Sequence, residues 1–121
     1  MIRGNLQRLL VVAFWTALLF ALVMALLPKP PRVPGDPGDK VQHVIAFATL
    51  AALASAAYPR TRLAVIVLGL AAFGALIEFA QAIPALHRDS SVLDWVADCA
   101  AVAAVLIVRI AAARLVATFS R

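Results

Sequence analysis

Six ionisable residues, Lys40, His43, Glu78, Arg88, Asp94 and Asp98, and two polar neighbours, Gln81 and Ser90, stand at the edges of long apolar runs, where a bilayer-embedded chain tolerates few. Lys40 and His43 are three residues apart, as are Glu78 and Gln81, and Asp94 and Asp98 are four apart. On helices each pair shares one face. An imidazole among carboxylates can grip a ligand through charge-assisted hydrogen bonds, shuttle a proton as general acid or base, or hold a divalent cation. Covalent catalysis is less well supplied, because no serine or cysteine is expected beside a base at this depth. The single cysteine, Cys99, lies inside an apolar run, forms no intrachain disulfide and reads as a small hydrophobe.

The elements that carry these residues follow from composition. Of 121 residues 64% are hydrophobic, well above the roughly 45–50% of a soluble domain. Crossing a hydrocarbon core of about 30 Å takes about 20 apolar residues in a helix. Four runs qualify, 9–27, 41–58, 63–83 and 92–108, the last with room to continue toward Val116. Lipid forces each backbone N–H and C=O to pair within its own segment, and the runs are too long for barrel strands. The expected fold is therefore an all-α membrane protein, a four-transmembrane-helix bundle forming one domain over 1–121. The first run is too long for the h-region of a signal peptide and reads as retained.

The punctuation agrees. The prolines and glycines of 28–38 break any helix, Tyr58-Pro59-Arg60 reads as a turn, and Pro84 closes the third run. Asp39 with Gln42, and Ser91 with Asp94, have the spacing of capping boxes. Gly69 and Gly74 read as points of close helix packing, and Trp15 and Trp95 as interfacial or packing aromatics.

The net charge of +5 does not point to nucleic acid, since the basic residues sit in short segments between spans and form no stripe with aromatics. They set topology instead. With the N-terminus inside, Arg3, Arg8, Arg60, Arg62, Arg109, Arg114 and Arg121 lie on the inner side and Lys29, Arg32, Lys40 and Arg88 on the outer, seven against four. Both termini are then cytoplasmic and the expected location is the inner (cytoplasmic) membrane, crossed several times; if the protein is bacterial, the proline-rich loop and 84–91 face the periplasm or cell exterior. Lys40, His43, Glu78, Gln81, Asp94 and Asp98, inside or at the edge of their spans, all fall in the outer half. Glu78, five residues from the end of its run, lies about 7.5 Å deep. An ionised group at a span centre costs up to about 2.5–3.5 kcal/mol, so such residues gather against one another and away from lipid. The expectation is a shared pocket at the outer face. Asp94 also fits a helix cap, and Lys40 and Arg88 also fit interfacial anchors whose charged ends snorkel.

Asp39-Lys40-x-x-His43 opening one span, Glu78-x-x-Gln81 closing the next and Arg88-x-Ser90-x-x-x-Asp94-x-x-x-Asp98 opening the last resemble the VanZ-like family of small bacterial membrane proteins. The resemblance covers about 39–108. Asp98 stands where the family often has Asn, and Ala101 where it has Gly. Members are associated with resistance to the glycopeptide antibiotic teicoplanin, so the resemblance implies a role in the cell envelope.

Three functions compete. The leading one is non-enzymatic: Lys40, His43, Glu78, Gln81, Arg88, Ser90, Asp94 and Asp98 bind the polar group of a lipid, a cell-wall precursor or a glycopeptide, with no cofactor and no metal. The second is an enzyme using His43 and Glu78 as acid and base, or a divalent cation held with Asp94 and Asp98. The third is an accessory subunit whose polar cluster locks the helices together. A transporter is disfavoured because no polar path is expected to continue inward. The oligomeric state stays open.

Overall fold

The structure, a computed structural model, describes residues 2–28, 38–86 and 90–121, without the side chains of Gly38 and Asp39. Four α-helices make up most of these residues, with no strand among them: α1 (Ile2–Leu26), α2 (Gly38–Ala57), α3 (Leu63–Gln81) and α4 (Val92–Phe119). All four are long and apolar enough to cross a membrane. Lys29, Arg32, Arg88 and most of the proline-rich loop lie outside the described residues.

Element boundaries depart from the sequence reading in several places, one of them α2, which begins at Gly38 instead of Val41 and so puts Asp39 inside the helix instead of at its cap. α1 begins at Ile2 instead of Leu9, because a helix nucleated in the apolar run extends at little cost through Arg3–Arg8. α4 runs on to Phe119, since Arg109 and Arg114 are good helix formers set among alanines. At about 42 Å it is longer than the hydrocarbon core, and from Ile107 to its end every residue is exposed. α3 stops at Gln81 instead of Ile83, because a residue before proline avoids the α-conformation, and a single 3-10 turn follows at Pro84–Leu86.

α2 is the central helix. It packs against α1, α3 and α4, while α1 and α4 scarcely touch each other. Its small buried residues, Ala51, Ala54, Ser55 and Ala57, let neighbouring backbones approach closely. α2 and α4 run parallel in register, since His43 meets Asp98 at one end and Ser55 meets Arg109 at the other. Leu50, Val102, Leu106, Leu70 and Ile77 fill the space between helices. The outer surface is apolar too: Leu19, Phe20, Leu68, Leu76 and Phe79 are all more than half exposed. Such a surface needs lipid as its solvent, as expected for a multi-pass membrane protein.

The two glycines differ. A Cβ on Gly74 would lie 3.3 Å from both Phe47 and Trp95, so this is a point of close packing. Gly69 would meet nothing within 4 Å, and the expectation that it too marks a helix contact is overturned. Trp95 is a packing residue, its indole N–H donating to the Ala71 carbonyl at 2.9 Å. The Trp15 indole donates to the Tyr58 hydroxyl at 2.8 Å from an exposed position.

Candidate functional site

α2 enters the bundle where α3 leaves it and α4 begins, and each brings one ionisable side chain to that end. His43 sits one turn into α2, Glu78 in the last turn of α3, and Asp98 in the second turn of α4. All three are buried, and one potential ligand atom from each lies within 4.8 Å of the other two. His43 Nδ1 is 3.3 Å from Asp98 Oδ1 and 3.5 Å from Oδ2, longer than the roughly 2.7–2.9 Å of a strong charge-assisted bond. Asp98 is only 1% exposed.

No family model matches the chain, and neither a curated protein nor a solved structure does. Its chemistry is therefore read from the side chains themselves.

Glu78 is tied down on one oxygen alone. Oε2 accepts from the Ser91 backbone N–H at 2.9 Å and from the Ser90 hydroxyl at 3.3 Å, while Oε1 is buried and accepts no hydrogen bond among the described residues. The first of these bonds revises the capping reading. Ser91 does cap α4, accepting from Leu93 N–H at 3.2 Å, but the reciprocal bond to its own N–H comes from Glu78 on α3 instead of Asp94. A local motif has been replaced by a link between helices, which aims the Glu78 carboxylate across the bundle. The sequence singled out Ser91 only as the cap of α4, because the partner of its backbone N–H leaves no signature there.

Ser90 also differs from expectation, because a hydroxyl does lie beside a carboxylate. It donates most closely to the Glu78 main-chain oxygen at 2.9 Å, and so satisfies a carbonyl at the end of α3. Gln81 is buried at the same end but points elsewhere, its amide donating to the Ala25 carbonyl of α1 at 3.0 Å. It fastens α1 to α3. Lys40 is exposed and makes no ion pair or hydrogen bond among the described residues, the behaviour of an interfacial anchor. Asp94 is half-buried and stands outside the close trio, and the reading of Arg88 as a ligand falls outside the described residues.

An apolar groove of about 470 Å³ runs beside the trio between α1 and α2. It exists because α1 presents Ala17, Ala21 and Ala25, four residues apart on one face, opposite Ala46. Phe20 and Ile45 form part of its walls and His43 is among its lining residues. The sequence reading did not find this groove, although the four-residue alanine spacing on α1 was visible.

Proposed function

We propose that the protein is a VanZ-like component of a bacterial cytoplasmic membrane that binds an amphiphilic ligand, a lipid or a lipid-borne cell-envelope precursor, at the extracytoplasmic end of its bundle. The His43, Glu78 and Asp98 cluster takes the polar head and the groove between α1 and α2 takes hydrocarbon. The observation that carries this reading is that His43 belongs to both, so a polar site and an apolar channel meet at one side chain. A ligand site in which a few polar groups sit at the edge of an apolar cleft is the usual arrangement for small amphiphiles. The orientation rests on charge: the start of α1, the Arg60 and Arg62 turn and the end of α4 all lie at the end opposite the cluster, and the majority of arginines with them. The resemblance to the VanZ-like family extends the proposal to glycopeptide resistance, through a ligand shared with, or hidden from, the antibiotic.

An accessory, structural role is favoured by a different observation, the bonds from Gln81 to Ala25 and from Glu78 to Ser91 that stitch helices together. Two substitutions separate the readings. Glu78→Gln keeps an acceptor for the Ser91 N–H, and Ala21→Phe fills the groove without touching the cluster. Binding predicts normal folded yield in detergent for both, with loss of co-purifying lipid by native mass spectrometry and loss of teicoplanin protection in an expressing host. Unchanged lipid and unchanged protection would remove the binding reading, and a collapse in the yield of Glu78→Gln would favour the structural one.

A further inference from the structure

We infer that His43, Glu78 and Asp98 form a binding site for one first-row divalent cation of the zinc or manganese class. The inference goes beyond ligand binding in the groove and stands without it, and it replaces the expectation from the sequence that this cluster works without a metal.

Three observations converge. The first is the donor set: an imidazole nitrogen and two carboxylate oxygens, from three different helices, within 4.8 Å of one another. One nitrogen with two oxygens suits zinc or manganese, whereas magnesium and calcium take oxygen almost alone. The second is spacing. Metal bonds of about 2.0–2.2 Å place neighbouring ligands of a tetrahedral ion about 3.3–3.6 Å apart. His43 Nδ1 lies 3.3 and 3.5 Å from the two Asp98 oxygens, too far for a strong hydrogen bond and at the right separation for two ligands of one ion. With no two of the three atoms more than 4.8 Å apart, the trio is at most about 1.2–1.5 Å wider than a closed site, a gap that torsional changes of the carboxylate side chains take up. The third is Glu78 itself. It is 8% exposed, its Oε2 is held by Ser90 and Ser91, and its Oε1 is buried with no hydrogen bond among the described residues. A carboxylate oxygen buried without a partner costs free energy that a cation beside it recovers.

The hydrogen bonds on Oε2 act as an outer shell for such an ion. They fix the carboxylate's rotation and so leave the other oxygen as the ligand. Three protein ligands leave at least one coordination position for water or for an anionic oxygen, of the kind a phosphate or carboxylate headgroup carries.

The test uses the full-length protein without an affinity tag, purified in detergent, stripped with EDTA and titrated with zinc chloride or manganese chloride. The expected result is a single equivalent of metal per chain by elemental analysis and a higher melting temperature on loading. Asp98→Asn and His43→Ala should weaken binding by at least about tenfold, whereas Asp94→Asn should bind as the parent does. No bound metal together with an unchanged melting temperature would overturn the inference, and so would full-affinity binding by the two cluster variants. Should those variants not fold, X-ray absorption on the zinc-loaded His87→Ala protein decides. Removing the chain's other histidine leaves His43 as the sole imidazole. Imidazole scattering around zinc then supports the site, and an oxygen-only shell sinks it. Lipid retention, measured separately on the metal-free protein, distinguishes failure of this site from failure of the groove.

Discussion

The two ends of the bundle treat polar groups in opposite ways. At the end where α1 starts, Gln7 donates to the Ala57 carbonyl, Arg109 donates to Ser55 at 2.9 Å, and Trp15 donates to Tyr58 at 2.8 Å. In these bonds a neutral acceptor meets a donor close by, and the one charge involved, Arg109, is on an exposed residue. At the other end three ionisable side chains turn inward, the His43 and Asp98 contact is longer than a strong hydrogen bond, and Glu78, held through one oxygen by Ser91, has its other oxygen buried with no hydrogen bond among the described residues. The first end is a clasp made of satisfied pairs. The second keeps binding capacity in reserve, and a membrane protein retains buried charge of that kind where something is to be bound.

Substitutions can break this contrast or sharpen it. The largest effect is expected at Gly74, one turn from Glu78: Gly74→Val drives a branched side chain into Phe47 and Trp95 and should cost about 1–3 kcal/mol, read as a fall in detergent melting temperature. A tolerant Gly74 would mean that the polar half of the bundle is loosely packed and that its cluster geometry is not enforced. Gln81→Leu, which removes the fastening of α3 to α1 and leaves the Ala25 carbonyl without it, should cost about 1–2 kcal/mol in denaturant-based unfolding. Ser55→Ala takes away the partner of Arg109 at the clasp, and because that guanidinium reaches water the cost should be nearer about 0.6 kcal/mol. A larger loss for Ser55→Ala than for Gln81→Leu would reverse the ranking of the two ends. The smallest change is expected from Gly69→Ala, within about 0.5 kcal/mol of the parent, since the added methyl group meets only lipid.

Much of the polar end was legible in one dimension. His43, Glu78 and Asp98 stood out because burial in lipid is costly for them, and their positions near the start or end of a span put them at a common depth. Lys40 and Asp94 stood out on the same ground but lie outside the cluster, because spacing along a helix fixes a shared face to within a turn and not which neighbour that face meets. The clasp was harder to read. Gln7, Ser55 and Arg109 lie on three different helices, and their partners are a backbone carbonyl or one another across about fifty residues of sequence.

What the sequence determined by itself was the solvent and the number of crossings. Apolar run length against bilayer thickness leaves little choice once every backbone group must be paired within its own helix. Tertiary structure alone decided that Glu78 replaces Asp94 at the start of α4, that Gly74 is a contact and Gly69 is not, and that alanines on α1 open a groove ending at His43. Each of those outcomes depends on how far one helix is rotated and shifted against the next. That rotation is set by the summed packing of three or four surfaces at once, a quantity that no single segment of the chain contains.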